Sequence, residues 1–252
     1  MTIDDAPLEG KVAVVTGAAR NIGEAIAKRL AAYGVAVVIN ALKDREAADA
    51  VAHDIFDAGG RAIAHIADIT NEDAAKNLVD TAIKGFGRLD ILVCNASIRS
   101  QTPFHKISLE EWHQTLAVPL DGTFLCARAA TPQMMKGKWG RVITLGGVSS
   151  YIGTANRAHV LTAKAGLVGL TRALAVELAP FNITCNVISP GHIDTKRPSS
   201  AGERPPMKVK PQIDRMGDVR EIASMVHYLC LPETDYITGQ TMHINGGLYF
   251  GI

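Results

Sequence analysis

The chain has 252 residues, the size of one α/β domain, and its 47% hydrophobic content is ordinary for a core that needs no disulfide or metal. With 26 Lys and Arg against 25 Asp and Glu, the formal net charge of +1 removes the electrostatic argument for binding nucleic acid or a membrane surface. The spacing of the four cysteines fits neither a disulfide framework nor a zinc site. The first ten residues contain no apolar run typical of a secretory signal, and no stretch of ~18 apolar residues predicts a membrane span. We therefore expect one domain over residues 1–252, without a metal, in the cytoplasm.

Short apolar runs alternate with helical periodicity along the whole chain. Strands are predicted at residues 11–16, 35–39, 61–66, 89–94, 141–145, 183–188 and 240–244. Helices are predicted at residues 22–33, 44–58, 71–86, 109–136, 156–179 and 218–231. This alternation predicts the α/β class: a single Rossmann-like, doubly wound parallel sheet of about seven strands, flanked by helices.

A glycine-containing turn links the first strand to the first helix, from Thr16 to Gly23. At this place in a βαβ unit, backbone N–H groups and the helix N-terminus face a pyrophosphate. The turn therefore predicts a dinucleotide site.

A second feature is an irregular stretch at about residues 192–216, where four of the eleven prolines gather with several Lys and Arg. A segment of this length without periodicity often covers a site, so we predict a substrate lid there, with a solvated surface loop as the alternative. Its basic residues favour an anionic substrate, such as a CoA or carrier-protein thioester.

Several segments resemble the short-chain dehydrogenase/reductase family. The turn at 16–23 is similar to its T-G-x-x-x-G-x-G motif, and Cys94 to Ser97 is similar to N-N-A-G after the fourth strand. Lys164 matches the end of the family's Y-x-x-x-K segment, and residues 189–195 resemble P-G-x-x-x-T. Residues 215–217 and 237–240 resemble its C-terminal signatures, so the resemblance covers nearly the whole chain.

The resemblance implies a cofactor role for a set of residues. Gly17, Ile22 and Gly23 would shape the turn. Asp68 and Ile69 would contact the adenine, and Asn95 and Ala96 its ribose. Lys164 would bind the nicotinamide ribose, and the carboxamide region would be contacted by Pro190, Gly191, Ile193 and Thr195. Asn21 stands where the family has its middle glycine. Asn tolerates a left-handed backbone, but its Cβ would crowd the phosphates, so a protein without bound cofactor is left open.

Cofactor choice follows from charge. An acid after the second strand would bind the ribose 2′-OH of NAD, and residues 40–43 contain none. Arg20 and Lys43 could instead meet a 2′-phosphate. We therefore expect NADP rather than NAD.

The family's catalytic groups are the least well matched. Counting from the motifs, Val160 stands at the family's Tyr position, Gly147 at its Ser position and Pro119 at its Asn position, which leaves Lys164 as the one match. Because loss of a positioned general acid costs ~10²–10⁴ in rate, we expect ordinary carbonyl reduction or alcohol oxidation to be impaired or to use substitute groups. If the match to the family motif is shifted by one residue, His159 stands at the position of the proton donor. Alternatively, Ser149 or Tyr151 could enter the active site from the loop.

Two readings of function are left open. One is an NADP-linked oxidoreductase that acts on a small molecule; a related possibility is that the same pocket carries out a reaction that is not a redox reaction. The other is a non-catalytic subunit or scaffold that pairs with an active subunit of the same family. The apolar tail Leu248–Ile252 fits a homo- or hetero-oligomer, or else packs on its own domain.

Overall fold

The computed structural model of the protein describes residues 7–196 and 210–251. Its strands form one fully parallel sheet in the order β3-β2-β1-β4-β5-β6-β7. The strands are β1 (Val12–Val15), β2 (Ala36–Ala41), β3 (Ala62–Ile66), β4 (Ile91–Cys94), β5 (Gly140–Leu145), β6 (Ile183–Pro190) and β7 (Thr241–Ile244). The predicted doubly wound sheet is confirmed. The strand order reverses between β1 and β4, and a ligand crevice is expected outside the carboxyl ends of the strands at that point.

Helices cover both faces of the sheet and bury two apolar layers against it. They are α1 (Asn21–Ala31), α2 (Arg45–Asp57), α3 (Glu72–Phe86), α4 (Leu109–Ala117), α5 (Asp121–Gly137), α6 (Ser149–Ile152), α7 (Ala158–Leu178) and α8 (Val219–Cys230). Strand β1 is buried at every residue, which explains its unbroken apolar sequence. The four cysteines are free thiols buried in these layers. No helix in the described ranges is long and apolar enough to cross a membrane.

The predicted helix at residues 109–136 is wrong as one element. Helix α4 ends at Ala117 and α5 begins at Asp121, with Pro119 between them. Proline has no N–H to donate to the preceding turn, and its ring crowds the carbonyl four residues earlier. The chain therefore restarts its helix after Pro119.

The predicted lid falls partly outside the described residues, since 197–209 are not described. Its two ends lie together, because Gly217 N donates to His192 O at 2.8 Å and Asp194 N donates to Gly217 O at 2.8 Å. In the C-terminal tail, Leu248 is buried and the Tyr249 ring stacks on Tyr151 with 5.0 Å between centroids. These two tail residues therefore pack on their own domain.

Candidate active site

Hydrogen bonds between Thr16 and Asn95 join the glycine turn to the end of β4. The backbone N–H groups of Asn95 and Ala96 donate to Thr16 Oγ1 at 3.0 and 3.1 Å. The Asn95 side-chain amide donates to the carbonyls of Thr16 and Gly17 at 3.0 and 2.9 Å. The amide protons of Asn95 thus hold the turn in place, next to the position where the resemblance puts a ribose.

Two glycines let the turn pass close to other backbone. Gly17 has φ +61°, and a Cβ there would lie 3.0 Å from Ala96 Cα. A Cβ on Gly23 would lie 2.3 Å from Gly17 O and 2.6 Å from Asn95 Nδ2. Only glycine fits at Gly23 without moving the turn, so the first N–H groups of α1 stay open to the crevice.

Asn21 adopts the left-handed conformation expected for the family's middle glycine, with φ 55°. Its side chain is directed to the segment after β6: Nδ2 donates to Lys196 O at 3.0 Å, and Oδ1 accepts from Lys196 N at 2.9 Å. This pair of bonds joins the N-terminus of α1 to the start of the predicted lid. Asn is thus compatible with the backbone of the turn.

Asn40 is a positioning residue that sequence reasoning missed. It is buried at the end of β2, where its Oδ1 accepts from Gly17 N at 3.3 Å and its Nδ2 donates to Ala67 O at 3.1 Å. The sequence did contain an indication of this role, because Asn40 is a single amide side chain at the end of an otherwise apolar strand. After it, Lys43 is exposed, as is Arg20 before α1, and neither Ala41 nor Leu42 is an acid.

The residues expected near the adenine lie at the end of β3. Asp68 Oδ1 accepts from the Thr70 backbone at 2.9 Å and from the Thr70 hydroxyl at 2.7 Å. The Ile69 side chain is buried, and a Cβ on Gly122 would lie 2.6 Å from its Cδ1. Ile69 therefore packs against α5.

A cavity of about 660 Å³ opens at the carboxyl ends of β4, β5 and β6. Its lining includes Asn95, Pro190, Gly191, Ile193 and Thr195, all expected at the cofactor, together with Ile22 and Lys164. Arg99 and Arg157 also line it, and its described lining residues include no Asp or Glu. The sequence pattern did not predict that these two arginines share a cavity, because they lie on separate loops, 58 positions apart in the chain.

Lys164 lies in this cavity on α7, and its Nζ donates to the carbonyl of Leu145 at the end of β5. Burial lowers the pKa of Lys164 to about 7, and the positive charges of Arg99 and Arg157 add to this shift. At neutral pH the amine is therefore divided between its ammonium and neutral forms.

Two of the three positions that hold the family's other catalytic groups are at the cavity. Gly147 and Val160 line it, whereas Pro119, between α4 and α5, is not among its lining residues. Ser149 lines it, but Tyr151 packs between Tyr249 and His243 instead. Both residues lie on the short helix α6 rather than in a loop, and of the two only Ser149 is at the cavity.

His159 lies behind the cavity wall. Its side chain is fully buried, with Nε2 2.6 Å from Ser100 Oγ and 3.1 Å from Glu111 Oε1, and it does not line the cavity. The ring joins the start of α7 to α4 and to the loop after β4. A donor role for His159 would need the ring to leave these partners.

Comparison with known proteins agrees with this geometry. A family model described as "Enoyl-(Acyl carrier protein) reductase" matches residues 17–249. The 3-oxoacyl-[acyl-carrier-protein] reductase of Synechocystis is 39% identical over 242 residues, which cover 96% of this chain and 98% of that protein. The corresponding protein FabG of Escherichia coli is 38% identical over 243 residues, with coverage of 96% and 98%.

Solved structures give the same result. A short-chain dehydrogenase/reductase from Serratia marcescens has a TM-score of 0.87 and 36% identity, covering 96% of this chain and 99% of its own. This chain belongs to the short-chain dehydrogenase/reductase family. A second similar structure, a blue fluorescent protein from a metagenomic library in complex with NADPH, has a TM-score of 0.89 and 33% identity, covering 97% of this chain and all of its own.

The relatives correct the functional expectation drawn from Pro119, Gly147 and Val160. Proteins 36–39% identical to this family member over nearly its full length are named 3-oxoacyl-[acyl-carrier-protein] reductases. This finding contradicts the expectation of impaired reduction, of a non-catalytic subunit and of non-redox chemistry in the pocket. The reasoning treated missing side chains as missing activity, and it overlooked the charged groups that the fold brings around Lys164.

The glycine turn can be tested by adding one methyl group. Gly23→Ala places a Cβ 2.3 Å from Gly17 O, so we expect a loss of about 1–3 kcal/mol in the free energy of unfolding from forced backbone movement. Urea denaturation measures it. The matched control is Gly137→Ala at the end of α5, where a Cβ meets nothing within 4 Å and stability should stay equal or rise slightly. Equal stability of the two variants would contradict the tight packing of the turn.

Proposed function

We propose that this protein is an NADPH-dependent reductase of an oxo group in a small 3-oxoacyl-type molecule. The observation that carries the proposal is Lys164, an amine with a pKa of about 7, set in a cavity that adjoins the dinucleotide turn. The names of the relatives support the reaction class and the substrate class.

The residues present fit NADPH. The N–H groups at the start of α1, from Asn21 to Gly23, suit the pyrophosphate, since Gly17 and Gly23 lack the Cβ that would close the turn. Pro190 to Thr195 would hold the nicotinamide beside the cavity, and the exposed Arg20 and Lys43 would meet the 2′-phosphate. Held there, NADPH would supply the hydride that the carbonyl carbon needs for reduction.

Lys164 holds the proton that completes the reduction. Its Nζ donates to Leu145 O, which fixes the amine at the end of β5 beside the space left by Gly147. Because a Cβ on Gly147 would meet nothing within 4 Å, a substrate carbonyl can approach there. The ammonium form passes one proton to the carbonyl oxygen as it becomes a hydroxyl, and Lys164 is left neutral until it takes a proton from water. A pKa near the working pH is the condition under which such transfer is efficient.

Cofactor preference depends on two exposed cations. In the double variant Arg20→Gln, Lys43→Gln we expect NADPH affinity to fall about 10- to 100-fold, because charge-assisted bonds to the 2′-phosphate are lost. NADH affinity should stay within about twofold, since it has no phosphate there. Titration of nicotinamide fluorescence measures both constants, with the exposed Lys84→Gln as control. An equal loss for both cofactors would contradict the assignment.

The pH dependence of reduction follows from the pKa of Lys164. The ammonium is the reactive form, so kcat/KM should be constant below about pH 6 and fall about tenfold per pH unit above the pKa of about 7. Lys164→Met should lower kcat by ~10²–10⁴ at pH 7. Lys164→Arg retains a charge that does not titrate, so its residual activity should show no break near pH 7. A wild-type profile that stays flat to pH 9 would contradict proton donation by Lys164.

We also propose that the protein forms a homo-oligomer. Phe124 on α5 and Val176 on α7 are 47% and 80% exposed in the single chain, and such apolar side chains favour burial against another subunit. Light scattering after size exclusion should give a multiple of the 26.8 kDa chain mass. A mass of one chain at micromolar concentration would contradict the proposal.

A further inference from the structure

The walls of the cavity around Lys164 favour an amine without charge. Its Nζ donates to the carbonyl of Leu145, which holds the amine at the end of β5. Val160, one helical turn earlier on α7, and Val148 are buried apolar side chains in the same lining. The described lining residues include no Asp or Glu. An ammonium at Lys164 therefore meets apolar walls and no carboxylate among these residues, which disfavours its charge.

The charged and titratable groups near Lys164 do not restore its ammonium form. The positive charges of Arg99 and Arg157 add to the effect of burial, which lowers the pKa of Lys164 to about 7. A thiolate at Cys94 would have the opposite effect, but burial raises the pKa of that thiol to about 12, so it is neutral at pH 7. About half of the amine is therefore neutral near pH 7, and the neutral form has the lone pair that attacks a carbonyl carbon.

Space for a small carbonyl compound lies beside the amine. Gly147 follows Leu145, the hydrogen-bond acceptor of Lys164, by two residues, and a Cβ there would meet nothing within 4 Å. The cavity of about 660 Å³ is large enough for a short alkyl chain, and Val148 and Val160 offer that chain apolar contacts. An aliphatic carbonyl compound therefore has room to place its carbonyl carbon at Nζ and its chain against these valines.

We propose that Lys164 is a covalent site for small aliphatic aldehydes, which it captures as an imine. The lone pair of Nζ attacks the carbonyl carbon, and the C=O π electrons become an alkoxide that takes one proton from the nitrogen. The resulting hydroxyl leaves as water with the second proton of the nitrogen, and a C=N bond remains. Nothing is oxidised or reduced in these steps. Capture takes place in the protein before NADPH binds, so it does not depend on the proposed reductase function.

The first experiment compares two lysines within one protein. The wild type without cofactor is incubated at about pH 7 with butanal and sodium cyanoborohydride, which reduces the imine to a stable butyl-lysine, and peptide mass mapping follows each lysine over time. We expect Lys164 to be modified at least about tenfold faster than the exposed Lys84, because an ordinary lysine is almost wholly protonated at this pH. Modification of Lys164 no faster than that of Lys84 would overturn the proposal.

The second experiment changes the charge beside Lys164 without changing the amine. Val160→Asp puts a carboxylate one helical turn from Lys164, where it stabilises the ammonium, so we expect the rate of Lys164 modification to fall at least about tenfold. The matched control is Val160→Asn, which has the same size without the charge, and its rate should stay within about threefold of the wild type. Equal rates in the two variants would show that the neutral amine is not the reactive form and would overturn the proposal. Rapid capture by a protein that reduces no 3-oxoacyl compound would support the aldehyde site and contradict the reductase function alone.

Discussion

The site depends on the hydrogen bonds between Thr16 and Asn95, which join the carboxyl ends of β1 and β4. These strands flank the point where the strand order reverses, so no covalent connection between neighbours holds their ends together there. Four bonds from Asn95 and Ala96 to Thr16 and Gly17 supply that connection. Asn40 supports the same turn from the other side by accepting from Gly17 N. The open N–H groups at the start of α1 and the cavity after β4 both follow from this arrangement.

Electrostatics in the cavity follows from burial and from the absence of acids among its described lining residues. Lys164, Arg99 and Arg157 all line this cavity. Burial and the positive charges of Arg99 and Arg157 lower the pKa of Lys164, the group that can release a proton, to about 7. The cavity thereby gives Lys164 a proton affinity suited to neutral pH.

Hydrophobic periodicity predicted the sheet and most helix positions, because buried strands and amphipathic helices need those patterns to fold. The chemistry of Pro119 indicated a helix break, but the prediction of one helix gave more weight to the long helical spacing of apolar residues around it. The motif matches located the turn, Lys164 and the segment at 189–195. The sequence could not provide the distances between loops. His159 is buried beside the partly exposed Ser100 and Glu111, and Arg99 and Arg157 line one cavity. Such placements arise from tertiary packing, which no local pattern records.

The central claim is that Lys164 exchanges its proton near neutral pH. The most direct measurement is an NMR titration of the protein labelled with ¹³C at lysine Cε, with Lys164→Arg used to assign the resonance. A midpoint close to pH 7 is the predicted result. A midpoint near the ordinary lysine value of about 10.4 would contradict it, because the amine would then hold its proton too tightly to act as the acid.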